Sequence, residues 1–247
     1  MRTSGTTGRP GRVLMSAASS NMFGFLLQRN YRWYRWAPTD TVAMIRGAPV
    51  MPRRDDGSIL PDGQTIRGKA WLSVGAYFRT GPFLPFNSTN TTEAQIDWLR
   101  TERPQYLTTY PKVLEAYCYA CADGVIADSL RSVQTVAEML PAGTRRRIEQ
   151  TFGLPVNESY GLTEIGIVAT RCAAGRFHVH SEHCVVEILD AQGRACADGE
   201  VGHVIITALS NAAMPLIRYD SGDLAEATAG PCECGRTLPG FRSIIGR

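Results

Sequence analysis

Apolar positions along this chain come in short blocks whose spacing changes partway through. Val13-Leu14-Met15, followed by Met22, Phe23, Phe25, Leu26 and Leu27, predicts a short buried strand and then a helix. Thr41–Ile45 reads as a buried strand. Residues 46–68, rich in Gly, Pro, Arg and Asp, read as a loop or hairpin around Asp55-Asp56-Gly57, and residues 70–78 as a short strand ending in Tyr77-Phe78. Thr91-Thr92-Glu93 ahead of Ile96, Trp98 and Leu99 starts a helix with a hydroxyl cap and an early acid. Pro104–Tyr110 predicts a strand that feeds a helix from Pro111 to about Cys121, Leu130–Val136 another strand, and Pro141–Phe152 a polar-faced helix. Strands alternating with helices imply βαβ units and a mainly parallel sheet. From about residue 166 the helical spacing disappears. Val185–Leu189, Gly202–Thr207 and Pro215–Tyr219 are strand-like and separated by Gly/Asp turns. The expected fold is α/β: a parallel-sheet βαβ region over 1–165, then a smaller β-rich region over 166–247.

Composition narrows the classes. The 247 residues hold 44% hydrophobic and 20% charged positions, ordinary for a globular protein with a sizeable core. The formal net charge of +3 is too small to argue for nucleic acid, but it is unevenly placed. Residues 1–54 carry nine arginines against one acid, Asp40. Arg29, Arg32 and Arg35 interleave with Tyr31, Trp33, Tyr34 and Trp36. Such a run can bind nucleic acid or a membrane surface, yet at helical spacing it more often forms a packed face with a solvated edge. There is no apolar run of membrane-spanning length and no signal-peptide core. Seven cysteines, an odd number, argue for reduced thiols, some of them metal-bound, and for a cytoplasmic address.

Chemistry concentrates in four strings. Thr3-Ser4-Gly5-Thr6-Thr7-Gly8-Arg9 combines hydroxyl donors, two glycines and a guanidinium, which suits a loop wrapped around a polyphosphate, although it lacks the Walker A spacing. Asn157-Glu158-Ser159-Tyr160-Gly161-Leu162-Thr163-Glu164 follows a predicted short strand at Leu154–Val156. A turn at Gly161 would set Thr163 and Glu164 at a strand's carboxyl end, where open α/β sheets bind ligands and where a carboxylate could hold Mg²⁺. Asp223, after Ser221-Gly222, is placed to accept hydrogen bonds from vicinal hydroxyls. Gly246-Arg247 closes the chain.

In this order the four strings resemble the adenylate-forming superfamily of acyl- and aryl-CoA ligases, adenylation domains and luciferases, and the likeness covers most of the chain. The resemblance implies that Thr3, Ser4, Gly5, Thr6, Thr7, Gly8 and Arg9 hold the ATP β- and γ-phosphates, that Thr163 contacts the α-phosphate, and that Glu164 binds Mg²⁺. It implies that Asp223 binds the ribose with Arg247 nearby. Ala137-Glu138 and Glu158-Ser159-Tyr160 would border the adenine, Tyr160 by stacking. Cys232-x-Cys234-Gly235-Arg236, Met214–Tyr219 and His183–Ile188 resemble the phenylacetate-CoA ligase branch. Cys232 and Cys234 could reach one metal ion, and with Cys172 and His178 would complete a closed Cys₃His set of structural Zn²⁺ type; the alternatives are free thiols on a turn, or His180 in place of His178. Tyr77 or Phe78 could line an aryl pocket or simply pack in the core.

The expected activity is therefore ATP-dependent activation of a carboxylic acid, aryl or aryl-acetic, to an acyl-adenylate, with transfer to coenzyme A. Alternatives are transfer to a carrier protein or an amine, or a non-catalytic nucleotide-binding remnant. A homodimer is compatible with this; nucleic acid and membrane are not expected partners. The superfamily's chain begins before the phosphate loop and continues past the Gly-Arg hinge into a mobile, lysine-bearing lid. Only Lys69 and Lys112 occur here, neither in a matching motif, so the chain is expected to be part of a larger enzyme, with apolar surface left exposed.

Overall fold

The computed structural model describes residues 12–47, 57–58, 60–121 and 124–246. They form two compact units: the stretch up to Trp33 joins Ser159 onward, and Tyr34–Glu158 forms the other. The division falls after Glu158, not at the expected 165, and the first helix, α1 (Ala17–Trp33), goes with the later strands. Among the described residues no helix is long and apolar enough to cross a membrane.

The middle unit is built on parallel strands β1 (Val42–Arg46), β2 (Phe83–Asn87), β3 (Tyr106–Thr109), β4 (Ser132–Thr135) and the start of β5 (Val156–Leu162), in the spatial order β2-β1-β3-β4-β5. Helices α2 (Thr92–Glu102), α3 (Pro111–Ala120) and α4 (Ala142–Phe152) supply the crossovers. The Thr91 hydroxyl accepts the Ala94 N–H at 3.2 Å, the cap expected from the sequence, and Arg103 ends α2 in a left-handed conformation (φ 50°). One sheet face points Ala43, Ile45, Leu107 and Val133 at Leu99, Leu114, Tyr117 and Ile148 of the helices, all buried. On the same unit Trp36 lies flat on Tyr106 (4.4 Å, 4°) with Trp71 edge-on, and the Trp36 indole N–H donates to Ser132 Oγ at 2.6 Å.

One expectation fails here. Residues 70–78 form consecutive turns, not a strand: Gly75 N–H bonds Trp71 O at 2.7 Å and Tyr77 N–H bonds Val74 O at 3.0 Å. The strand lies further on, at Phe83–Asn87, where Pro85 hid it.

The second unit is an antiparallel sheet. It takes the end of β5, then β6 (Gly166–Arg171), β7 (Phe177–Val179), β11 (Gly240–Gly246), β10 (Tyr219–Ala227), β9 (Val201–Ala208) and β8 (Cys184–Leu189) in that spatial order. Phe177 and Phe241 stack at 5.1 Å with Tyr160 edge-on to Phe241, and Val204, Ile206 and Ala225 fill the rest of this core. The strand expected at 215–219 begins instead at Tyr219. Helix α1 lies on β6, where Thr170 Oγ1 donates to Asn30 Oδ1 at 2.6 Å.

Candidate functional site

The string at 157–164 becomes strand and turn. Strand β5 runs on to Leu162, and the reversal is a three-residue turn, Thr163-Glu164-Ile165, closed by Ile165 N–H to Leu162 O at 3.2 Å. The turn expected at Gly161 therefore lies two residues later. Gly161 serves the pairing instead: a Cβ there would sit 2.5 Å from the Gly166 carbonyl oxygen across the hairpin. Thr163 is exposed and Glu164 half-buried at the carboxyl end of the strand.

In the same unit, Tyr160 O–H donates to Asp223 Oδ2 at 2.8 Å. Asp223 sits on β10 just after Gly222, whose φ of 73° carries the break in pairing with β9 between Asp220 and Leu224. Ser221 Oγ donates to Val204 O at 2.9 Å and accepts the Asp223 N–H at 3.1 Å, which pins the bulge. Two expected nucleotide-site residues thus meet, although the Tyr160 ring itself is largely buried against Phe241.

In the middle unit, Ala137 follows β4 with φ 66°, and Glu138 pairs with Lys112 Nζ at 2.8 Å. Glu158 is held by Arg145 of α4, whose guanidinium reaches Glu158 Oε2 at 2.6 Å, Val156 O and Glu149 Oε1 at 3.2 Å. Arg145 is nine-tenths buried, and these partners offset the cost of taking its guanidinium out of water. The sequence puts Arg145 on a polar helix face with no evident role; its spacing of four from Glu149 is the available signal. Tyr77 is exposed and Phe78 half-buried on an open depression of about 510 Å³ that Lys69 and Arg79 also line. Thr3, Ser4, Gly5, Thr6, Thr7, Gly8, Arg9 and Arg247 lie outside the described residues.

Cys172, His178, Cys232 and Cys234 come together, with one donor atom from each lying within 4.8 Å of the others. Cys172 follows β6, His178 is on β7, and the Cys-x-Cys pair sits on a turn closed by Gly235 N–H to Cys232 O at 2.9 Å. Arg176 ties that loop down, donating to Gly230 O at 2.7 Å, Thr228 Oγ1 at 2.9 Å and Ala229 O at 3.0 Å. The donor set fits Zn²⁺. The Cys172 and Cys232 sulfurs are 3.7 Å apart, close to the ~3.8 Å edge of a tetrahedron with ~2.3 Å Zn–S bonds. His178 turns Nδ1 to Leu238 O (3.2 Å) and Nε2 to Cys234 Sγ (3.2 Å), the orientation that presents Nε2 to a metal. Burial opposes ionisation of Cys234, but the Arg236 amide and guanidinium and the neighbouring thiols bring its pKa down to about 6.

Arg236 also lies over Trp33 at 4.2 Å, and Trp33 is edge-on to His178. The aromatic–arginine run of α1 is therefore a packed face, as its spacing suggested. His180 is not in the cluster. It contacts Thr170 Oγ1 through Nε2 (2.9 Å) and Arg29 through Nδ1, and burial, then Arg29 and the neighbouring histidines, lower its pKa to about 3.

Comparison with known proteins gives the family and the fold. The AMP-binding enzyme family matches residues 70–213. Phenylacetate-coenzyme A ligase of Pseudomonas putida is 30% identical over 257 aligned positions, covering 99% of this chain and 53% of that protein. The enzyme of the same name from Thermus thermophilus is 31% identical over 168, covering 63% and 37%. This chain thus spans about half, or less, of the length of these curated relatives. A solved structure of 2-hydroxyisobutyryl-CoA ligase with 2-HIB-AMP, at 20% identity, superposes with a TM-score of 0.77 over all of this chain and 52% of its own, which establishes the shared fold. By its sequence match over more than half its length, and by its fold, the chain belongs to the AMP-binding enzyme family.

Proposed function

We propose that the protein carrying this chain is an acid–thiol ligase that activates an aryl or aryl-acetic acid with ATP and transfers the acyl group to coenzyme A. The observation that carries the reading is the Tyr160–Asp223 hydrogen bond, which joins the Tyr-Gly-Leu-Thr-Glu strand to the Ser-Gly-Asp strand. The names of the sequence relatives support the substrate class and the thiol acceptor.

In the first half-reaction a carboxylate oxygen attacks the α-phosphorus of ATP, giving the acyl-adenylate and pyrophosphate. In the second, the coenzyme A sulfur attacks the acyl carbonyl, loses its proton and expels AMP. Thr163 would donate its hydroxyl to the α-phosphate and Glu164 would ligate Mg²⁺, which supplies charge neutralisation on the departing pyrophosphate. Asp223, held by Tyr160, would accept from the ribose hydroxyls. Ala137, Glu138, Glu158 and Ser159 would border the adenine, and Thr3 to Arg9 would cradle the β- and γ-phosphates with Arg247 near the ribose. Tyr77 and Phe78 would receive the acid. Cys172, His178, Cys232 and Cys234 would hold a structural Zn²⁺, closed by four protein ligands and so without an open catalytic position.

The test is carboxylate-dependent exchange of labelled pyrophosphate into ATP, followed by assay for the CoA thioester. Phenylacetate or benzoate should support both. Exchange without thioester would move the acceptor to a carrier protein or an amine; absence of exchange with any aryl acid would overturn the reading.

A further inference from the structure

His183 is only 2% exposed, and both of its ring nitrogens are engaged. Nε2 lies 2.7 Å from the carbonyl oxygen of Ile165, and Nδ1 lies 2.7 Å from Ser210 Oγ. A carbonyl can only accept, which puts a ring hydrogen on Nε2; in the neutral imidazole that burial favours, Nδ1 then accepts the Ser210 hydroxyl. Both ring nitrogens are thus occupied by structural bonds.

What it grips is informative. Ile165 is the third residue of the Thr163-Glu164-Ile165 turn; its N–H closes that turn on Leu162, and its side chain is 1% exposed. One residue thus closes the turn through its N–H while its carbonyl is fixed by His183. The other side of the imidazole continues into a second set of bonds. Ser210 O accepts from Ser16 Oγ at 3.4 Å, and Asn211 Oδ1 accepts the Ser16 N–H at 3.0 Å. Asn211 Nδ2 donates to Leu14 O at 2.8 Å, and Asn211 is 3% exposed. His183 and Asn211 are buried and Ser16 and Ser210 half-buried, and bonds among such groups resist breaking because each lost bond leaves a poorly solvated partner behind. The relay runs within one compact unit, from the segment just after the Gly/Ser/Thr-rich string to the turn bearing Thr163 and Glu164.

We propose that His183 is a positioning residue for the nucleotide site: it sets the Thr163–Glu164 turn and, through Ser210 and Asn211, ties that turn to residues 14–16. The proposal rests on the reading above that Thr163 and Glu164 serve the α-phosphate and Mg²⁺. His183 touches no reacting atom. Its effect is on where the Glu164 carboxylate and Thr163 hydroxyl stand.

The test compares the complete protein carrying this chain with its His183→Leu and His183→Gln forms, since a glutamine amide can still donate toward the Ile165 carbonyl. Amide hydrogen exchange by mass spectrometry and Mg·ATP binding by calorimetry are read on the same samples. For His183→Leu, exchange should accelerate selectively in peptides spanning 160–168 and 13–18, and Mg·ATP affinity should fall about tenfold or more, the usual cost of losing an outer-shell partner. His183→Gln should recover most of both. Unchanged exchange at 160–168 together with wild-type Mg·ATP affinity in His183→Leu would overturn the proposal. So would exchange rising evenly along the chain without rescue by glutamine, which marks bulk packing. If the unsubstituted protein takes up no Mg·ATP, the nucleotide reading fails and this role for His183 falls with it, a failure visible in the parent and separate from any effect of the substitution.

Discussion

The phenol of Tyr160 donates to Asp223 Oδ2 at 2.8 Å, linking neighbours of the same sheet unit that are 63 residues apart in sequence. In Tyr160→Phe the ring can still pack on Phe241, but Asp223 loses a donor. Stability should drop by about 1.5–3 kcal/mol, the scale of a hydrogen bond to a charged group. Discrimination between ATP and 2′-deoxyATP should shrink as the carboxylate loses its fixed orientation. Urea unfolding and competitive nucleotide binding measure the two effects, and unaltered discrimination would remove Asp223 from the ribose.

Glu164→Gln keeps the shape of the turn and deletes a negative charge at a half-buried position. In the complete enzyme the pyrophosphate-exchange rate should fall by about a hundredfold or more, with a higher Mg²⁺ requirement. An unchanged rate and Mg²⁺ dependence would mean that the metal is held elsewhere.

The Cys₃His cluster predicts about one equivalent of zinc per purified chain. Cys234→Ser should lower the zinc content several-fold and the melting temperature by about 6–12 °C, the shift expected for a loss of about 3 kcal/mol in a chain of this size. Zinc below a tenth of an equivalent in unchelated protein would leave the four side chains as packed thiols around a histidine.

Two glycines should respond in opposite senses. Gly161→Ala drives a methyl to 2.5 Å from the Gly166 carbonyl oxygen and should cost about 1–3 kcal/mol. Gly143, in the first turn of α4, has nothing within 4 Å of its would-be Cβ, and Gly143→Ala should stabilise by about 0.4–1 kcal/mol. Thermal unfolding of the pair checks both signs.

Burial, opposed by its bond to Ile165, keeps the His183 pKa below the ordinary histidine value of 6.5. The unfolded chain therefore binds the proton that the folded chain refuses. The stabilisation is complete above pH 6.5 and is lost as pH falls below it toward the folded value. His180, brought down to about 3, acts in the same direction. The melting temperature should decline between pH 7 and pH 5, and less steeply in His183→Gln than in the parent; parallel curves would mean that His183 does not contribute.

How much of this was legible depended on whether local residues decided the outcome. Helix α2 could be read because Thr91 caps it through its own side chain. The Cys172/His178/Cys232/Cys234 set was legible as chemistry, and the choice of His178 over His180 is decided by register: β7 sets His178 opposite Gly240, at the entrance to the cysteine loop. Residues 70–78 misled because β-forming side chains are overruled by tertiary bonds, such as Trp71 N–H to Thr80 Oγ1 at 2.8 Å and the Trp71 indole to Asp40 O at 2.9 Å. Strand β2 is hidden because Pro85 reads as a breaker, although among the described residues β2 pairs along its length with β1 alone, its other side bridging Gly68 at Phe83, so position 85 can spare an N–H. Arg145 and His183 were illegible because their roles depend on what faces them across the fold.

Helix α1 leaves the ribosome ahead of every other described element, yet the strand it rests on is made 125 residues of middle unit later. At ordinary translation rates of about 5–20 residues per second that is a wait of roughly 6–25 s, during which the middle unit can close on its own local βαβ contacts. The positions that α1 eventually buries include Ser19, Gln28 and Asn30, which water can solvate in the meantime. These polar positions among Leu26 and Tyr31 cost α1 hydrophobic grip when it docks, and they reduce the apolar surface it leaves exposed until β6 is made.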